Sequence, residues 1–461
     1  MSDFRDPLLE RNPFAFNSYR DYVKEKKRES DIQIARYRNV AIMAAVALLV
    51  INCMCTLFLS GLYTVDEEGY FINRPGKVEL HNNEALPVSA ADAQAQPTVN
   101  SAYGRVVKAE GDYAWLINKF ITYERGVMSA DEVVMSFTGD CTIGTWPESS
   151  NLTNYNAIFE KAGSPTYSFD NMKYFFANDD YTYINLETTL TSSTKRYKEK
   201  TYNFKGDPGW AQTMLKNSFV DGCDLANNHS FDYEQEGYDE TIQVVEAAGM
   251  DIGDQDTVIK TDLNGLEVVI LSCNYIYEKV QLPQYLWGDQ LTAHVKEQIK
   301  EYKRPDNIVI VCCHWGLERQ QTPDYSQFNP GREFIDTGAD LIIGNHPHTI
   351  QSVEYYNGKF IFYSLGNFAF GGKATTDEVN RISLVVRPRF AKRDGVAQLT
   401  GVLIIPCYTT SADDIRENDY KPRPLYGEEA RDLMNQVKSF AAYMRYGTDS
   451  LEFPTANFEK E

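Results

Sequence analysis

Short apolar runs recur along the middle of the chain, each closed by small or polar residues. Val133-Val-Met-Ser-Phe137, Tyr181-Thr-Tyr-Ile184, Gly222-Cys-Asp-Leu-Ala226, Asn307-Ile-Val-Ile-Val-Cys-Cys313 and Asp340-Leu-Ile-Ile343 have the length and composition of buried strands. Between them the spacing turns helical. Helices are predicted over Asp170–Asn178, from Asp207-Pro208 onward (an N-cap followed by proline at the first helical position), over Glu234–Ala248 with Gly249 as the stop, and over Gln290–Tyr302. Apolar strands alternating with helices predict an α/β fold with a mostly parallel sheet covered on both faces. Lys359–Leu365, Ile382–Val386 and Gln398–Ile405 follow one another with no helix between. They predict antiparallel strands, either a second sheet or an extension of the edge. A closing helix is expected over 427–445.

The N-terminal part carries a different pattern. Residues 1–38 are polar and charged, with Arg20, Lys24, Lys26, Lys27, Arg28, Arg36 and Arg38 in their second half. Val40 to Leu62 then runs without a charge and is followed by Tyr63 and Asp66-Glu67-Glu68. As a helix this run is about 35 Å long, enough to cross a bilayer. It is longer than the apolar part of a cleaved signal peptide. An uncleaved anchor over 39–63 is expected, with the basic N-terminus cytoplasmic and the bulk of the chain outside. Residues 64–130 predict a spacer: Asn82 to Asn100 is rich in Ala, Gln and Pro, and Trp115, Leu116, Phe120 and Ile121 mark a helical piece after it. The main domain is placed at 131–410, with a C-terminal helix and tail over 411–461.

Composition narrows the partners. The chain has 461 residues and a formal net charge of −20. That excess of acid argues against nucleic acid, which selects a basic face. The eight cysteines show no spacing of a disulfide framework or a thiolate zinc site and read as small core residues.

The chemistry sits where the strands stop. The five predicted strands end in Thr138-Gly139-Asp140, Asn185-Leu186-Glu187, Asn227-Asn228-His229, His314-Trp315-Gly316 and Gly344-Asn-His-Pro-His348. Two of only six histidines, His346 and His348, share the last turn, stiffened by Pro347. In open α/β sheets ligands bind beyond the carboxyl ends of the strands, so these motifs converge on one edge. Taken singly, Asp140 reads as a turn aspartate, Glu187 as a surface carboxylate, Asn227-Asn228 as a turn pair and His314 as a core histidine. Pooled, they are ligands for a hard to borderline divalent cation such as Mn²⁺, Fe²⁺ or Zn²⁺. One bridging carboxylate and two clusters of N and O ligands make a two-metal site, which polarises a phosphoryl or acyl group and supplies hydroxide at neutral pH. A nucleophilic triad competes poorly: no Gly-x-Ser-x-Gly occurs, and Cys313 and His314, adjacent in a strand, point to opposite faces. No dinucleotide fingerprint or P-loop is present.

Thr138-Gly-Asp140, Ile184-Asn-Leu-Glu187, Ala226-Asn-Asn-His-Ser-Phe-Asp232, Cys313-His-Trp-Gly-Leu-Glu318, Gly344-Asn-His-Pro-His348 and Tyr363-Ser-Leu-Gly-Asn-Phe368 resemble, in order, the motifs of the CapA (PgsA) proteins of capsule and poly-γ-glutamate biosynthesis. These are membrane-anchored bacterial proteins of the calcineurin-like metallophosphatase superfamily. The resemblance covers about 131 to 410 and implies a calcineurin-like β-sandwich flanked by helices, with one or two divalent ions. It makes Asp140 the first metal-binding aspartate, Glu187 the bridging carboxylate and Asn228 a ligand. His229 becomes the histidine that orients or protonates the reacting group, and His314, His346 and His348 complete the ligands. Two positions depart from the pattern: Thr142 stands where the superfamily usually has a histidine, and Cys141-Thr-Ile-Gly-Thr145 lacks the arginine that CapA proteins often carry. The resemblance implies a role in making, exporting or tethering an anionic surface polymer, with membrane synthetase subunits as partners. Two other roles stay open: a non-catalytic scaffold of a synthetase complex, and an extracellular metallophosphoesterase.

Overall fold

Most of the strands predicted from apolar runs are buried on both faces, and the reason lies in how the layers stack. A computed structural model describes residues 63–65, 71–73, 106–146, 154–276, 286–370, 378–414, 417–440 and 451–460. The Val40 to Leu62 run and the Asn82 to Asn100 stretch lie outside the described residues. Among the described residues no helix is long and apolar enough to cross a membrane.

Residues 1–89 form one unit, in which β1 (Tyr63–Val65) pairs antiparallel with β2 (Phe71–Asn73). Residues 90–461 form the other. Its first half runs α1 (Ala114–Val127), β3 (Glu132–Thr142), α2 (Tyr155–Ala162), α3 (Lys173–Phe176), β4 (Tyr181–Leu186), β5 (Thr189–Leu190), β6 (Lys205–Gly206), β7 (Gly222–Asp224), α4 (Glu234–Ala247) and β8 (Asp251–Gly253). It continues through β9 (Ile259–Leu263), β10 (Leu266–Asn274), α5 (Gly288–Tyr302), β11 (Asn307–His314), α6 (Tyr325–Thr337), β12 (Leu341–Asn345), β13 (Val353–Tyr356) and β14 (Lys359–Phe362). Last come β15 (Asn367–Phe370), α7 (Glu378–Arg381), β16 (Ile382–Arg393), β17 (Val396–Tyr408), β18 (Arg423–Pro424) and α8 (Gly427–Phe440).

The strands form two sheets where the apolar pattern predicted one mostly parallel sheet. An eight-stranded sheet has the order β18-β17-β16-β3-β4-β7-β8, with β15 also on β3; a six-stranded sheet has the order β13-β14-β12-β11-β10-β9. Each has a parallel centre, β3-β4-β7-β8 in one and β10-β11-β12-β14 in the other, and antiparallel strands outside it. The inner faces pack on each other: Val133, Met135 and Phe137 of β3 share a core with Ile308, Ile310 and Cys312 of β11. Helices cover the outer faces. Leu116 and Phe120 of α1 and Val245 of α4 pack behind the first sheet; Val295 of α5 and Phe334 of α6 pack behind the second. A strand buried on both faces reads as a continuous apolar run whichever sheet holds it, so the five motif strands did not disclose that they divide between two.

Other local expectations change for similar reasons. Lys359–Phe362 is not antiparallel to the strands after it; it joins the six-stranded sheet parallel to β12. The hairpin β16–β17 is antiparallel as expected and extends the eight-stranded sheet. The stretch after Asp207-Pro208 is one π-helical turn (Ala211–Leu215) and one 3-10 turn (Lys216–Ser218), not a full α-helix. Asp170–Asn178 holds only the single turn of α3. The α4 stop is as expected, with Gly249 at φ +73°.

One buried ion pair joins the segment before residue 131 to the sheet. Arg387 of β16 has no exposed surface, and all five of its N–H donors are used. Nε and Nη2 reach Glu124 of α1 at 2.8 Å each; Nη1 donates to Ser136 Oγ (2.7 Å) and the Phe175 carbonyl (3.0 Å), and Nη2 to the Asn178 carbonyl (3.3 Å). At the other end, Ala430, Leu433, Met434 and Val437 of α8 fill the core between the sheets.

Candidate metal centre

The carboxyl ends of β3, β4 and β7 from one sheet and of β11 and β12 from the other meet at one edge. This is where the sequence put its polar motifs, although they arrive from two sheets. Asp140 is the last polar residue but one of β3. Its backbone N–H donates to the Gly366 carbonyl at 3.0 Å. The approach is close enough that a Cβ on Gly139 would lie 1.9 Å from that oxygen, which is why glycine precedes the aspartate. His346 and His348 sit in the left-handed region at φ +96° and +56° on either side of Pro347. Such conformations cost energy in non-glycine residues and concentrate at functional sites. The His346 N–H points at Asp140, 3.3 Å from Oδ1.

Two ligand clusters result. Glu187, His314 and His346 each offer an atom within 4.8 Å of the others, and so do Asp140, Glu187 and His348. Glu187 belongs to both. Asn228 Oδ1 lies 2.8 Å from His314 Nε2, beside the first cluster. His229 Nε2 lies 3.9 Å from Glu187 Oε1. All seven residues singled out from sequence therefore come together. Thr142, two residues beyond Asp140, is fully buried at the end of β3.

The clusters fit a cation. Neither oxygen of Glu187 accepts a hydrogen bond, and neither does His346 Nδ1, although all three atoms are buried. A buried carboxylate without donors is costly, and such groups are normally paired or bound to metal. The donors are carboxylate, amide and imidazole with no thiolate, which suits a hard to borderline divalent ion.

Charge is unevenly divided among these groups. Burial, followed by the neighbouring Asp140 charge, raises Glu187 well above the ordinary carboxylate range. Burial alone would raise Asp140 too, but His348 outweighs it and holds Asp140 low. Burial pushes His314 down to about 3 and His346 well below the usual imidazole value. Burial also works against charge on His348, yet Glu187 and Asp140 prevail and lift it to about 10. His348 Nδ1 lies 3.1 Å from Asp140 Oδ2 and 2.9 Å from Asn367 Oδ1.

A pH effect follows. In the metal-free protein the stabilisation from His348 is complete below its ordinary value of 6.5 and is lost as pH rises through about 10. An ion at Asp140, Glu187 and His348 must expel that proton, whereas His314 and His346 are already neutral. Calorimetric Mn²⁺ titrations between about pH 6 and 9, in buffers of different ionisation enthalpy, should show the ion at this cluster binding more tightly at the high end while still releasing about one proton from His348 throughout. Equal affinity across that range would contradict the division of charge.

Four supporting residues escaped the sequence reading. Asn185 donates to Asp140 Oδ1 at 2.7 Å and lies 3.3 Å from His314 Nδ1, so it ties the two sheets together. Asn227, expected among the ligand types, is occupied in holding the loop: it donates to Asn185 Oδ1 and accepts from the His229 N–H. Asp232 Oδ2 lies 2.7 Å from His229 Nδ1 and fixes that ring. Asn367 holds His348, and Lys200 pairs with Asp232 at 2.8 Å. Asn185, Asp232 and Asn367 lie inside motifs already quoted, which was the available signal; Lys200 had none. Phe204 packs on His229 (ring centroids 4.6 Å apart) and Phe370 on His348 (5.1 Å), closing one wall with apolar surface.

Fold and site together define a mixed α/β sandwich with a paired ligand cluster at its strand ends. The chain belongs to the family described as bacterial capsule synthesis protein PGA_cap, which it matches over residues 134–372. It is 30% identical over 265 residues to the PGA biosynthesis protein CapA of Bacillus subtilis (strain 168), covering 55% of this chain and 66% of that one. It is 27% identical over 257 residues to the capsule biosynthesis protein CapA of Bacillus anthracis, covering 52% and 60%. The matches therefore span somewhat under two thirds of those relatives' own length. A solved structure, the calcineurin-like phosphoesterase YfkN of Bacillus subtilis, aligns at TM-score 0.38 and 13% identity over 68% of this chain and 100% of that one.

Proposed function

We propose that this chain acts in the synthesis, export or tethering of an anionic capsule polymer such as poly-γ-glutamate, through a divalent-metal centre held outside the cell membrane. Membership of the capsule synthesis family supports the polymer. The observation that carries the metal centre is Glu187: fully buried, without hydrogen bonds, and shared by two ligand clusters. Asp140, Glu187 and His348 would hold one ion of the Mn²⁺, Fe²⁺ or Zn²⁺ type; Glu187, Asn228, His314 and His346 would hold the other. Bound there, such ions polarise a phosphoryl or acyl oxygen and make water acidic. His229 has its Nδ1 engaged by Asp232, which leaves Nε2 on the Glu187 side to hold or deliver a proton. The Val40 to Leu62 run anchors the chain, with its N-terminus cytoplasmic and membrane synthetase subunits as neighbours.

Deletion of the gene should abolish surface polymer, and wild-type protein should restore it while His314→Ala does not. In the same cells, protease added outside should remove the bulk of the chain and leave a fragment of about 65 residues. Protection of the whole chain would refute the placement. Thr142, standing where the superfamily usually has a histidine, favours a second reading, a non-catalytic scaffold; full rescue by His314→Ala would establish that reading instead.

A further inference from the structure

A cavity of about 420 Å³ opens where the first residue of β16, the end of β17 and α8 meet. Its size suits a small organic ligand. It lies at the same edge of the eight-stranded sheet as Asp140: Ser383 bridges to Gly366, and Asn367 pairs with Asp140. Arg381, the last residue of α7, forms one wall and is only 7% exposed. Its Nη2 donates to the Ala412 carbonyl at 2.9 Å, but Nε is buried with no acceptor. The guanidinium lies 5.3 Å from the centre of the Tyr408 ring and joins no ion pair among the described residues. A guanidinium cannot shed its charge in a protein, and buried charges are normally paired.

The carboxylates around the cavity do not supply that partner. Glu429 is held by Arg423, at 2.9 and 2.8 Å. Glu428 and Asp432, one turn apart on α8, line the same cavity and are exposed. Neither makes a hydrogen bond or ion pair among the described residues. The cavity therefore has an unmatched cation from α7 and two unmatched carboxylates from α8. A simple anion would meet the carboxylates, and a simple amine would meet Arg381. A ligand that carries both charges close together satisfies all three side chains.

We infer that this cavity binds an α-amino acid group, its carboxylate on Arg381 and its ammonium on Glu428 and Asp432. Charge-assisted hydrogen bonds are the strong ones, and a guanidinium matches a carboxylate in shape. Two kinds of molecule present that group: a free amino acid, and the amino end of a γ-linked glutamyl chain, whose first unit keeps both α-substituents. The choice of glutamate as the amino acid rests on the polymer reading above; the pairing of charges does not.

Full-length protein in detergent is titrated with glutamate, glycine and γ-glutamylglutamate, first with chelator and then with Mn²⁺. Glutarate lacks the ammonium and 4-aminobutyrate lacks the α-carboxylate. Each should bind about 10- to 100-fold more weakly than glutamate, and Arg381→Gln should weaken glutamate binding by a similar factor. Glu428→Gln combined with Asp432→Asn should weaken it too. Both of those side chains are exposed, so the thermal midpoint should hold, and the test survives any misfolding of the Arg381 variant. Tighter binding of γ-glutamylglutamate than of glutamate assigns the site to the polymer's amino end; equal or weaker binding assigns it to the free amino acid. Glycine bound without glutamate upholds the site and counts against the polymer. The inference is overturned if none of the three binds, if glutarate binds as tightly as glutamate, or if the folded variants keep wild-type affinity. Binding that appears only with Mn²⁺ and vanishes in His314→Ala also overturns it, since the ligand then sits at the metal centre.

Discussion

Glu187→Ala should abolish divalent-ion uptake at both clusters, whereas His348→Ala should empty only one. Glu187 is the one side chain common to the two sets. Its loss leaves His314 and His346 with Asn228 on one side and Asp140 with His348 on the other. Outer contacts of metal sites already cost roughly 10- to 100-fold in affinity when removed, so deleting a direct ligand from both sites should exceed that twice over. Stability without metal should change less. The metal-free protein bears the cost of a buried carboxylate that accepts no hydrogen bond, but that carboxylate also sustains the charge on His348, so the two effects offset and the alanine variant should melt near wild type in the absence of Mn²⁺. Metal content after dialysis and thermal midpoints with and without Mn²⁺ check both halves. Stoichiometric metal in Glu187→Ala would refute the shared-ligand geometry.

The second large effect is structural. Glu124→Ala should destabilise the protein by about 3–5 kcal/mol, the usual consequence of leaving one member of a buried ion pair without its partner. Arg387 has no exposure, and burial opposes its charge; Glu124 is the leading group that sustains it. Its remaining donors reach only neutral groups and, at 3.5 Å, Asp179. A protein trimmed to begin at residue 131 should fare worse, because it also loses Leu116 and Phe120 from the core behind the eight-stranded sheet. Pairing Glu124→Leu with Arg387→Met should recover much of the loss, since apolar replacements for a buried pair are often neutral. Urea midpoints of the single, double and trimmed proteins decide the matter; an unchanged midpoint for Glu124→Ala would contradict the role given to the pair.

Much of the candidate centre was legible because its residues end apolar runs, and the end of a strand is a position that sequence can mark. Asp140, Glu187, Asn228, His314 and the His346–His348 turn were found that way. What the runs could not convey was partnership. Leu266–Asn274 pairs with β11 along its whole length and escaped notice, because its apolar run ends in Asn274 with no ligand-type motif to draw attention to it. Lys200 lies in a polar loop, and its meaning comes entirely from Asp232, 32 positions later in the chain and reached only in three dimensions. Glu124 was read as part of a spacer helix; its pairing with Arg387 spans 263 positions, which no local pattern encodes.

The seam between the two sheets also governs when the centre can exist. His346 and Asp140 meet across 206 positions of chain. Closing so long a loop costs entropy before any contact can offset it, and parallel pairing across such distances is slow. The ligand set is therefore assembled only once both sheets have formed and docked. An ion captured there would hold the two sheets together against opening, so its effect should appear chiefly as slower unfolding in the presence of Mn²⁺. Metal bound in this fold would accordingly be a source of kinetic persistence, slowing loss of the native state more than it speeds its formation.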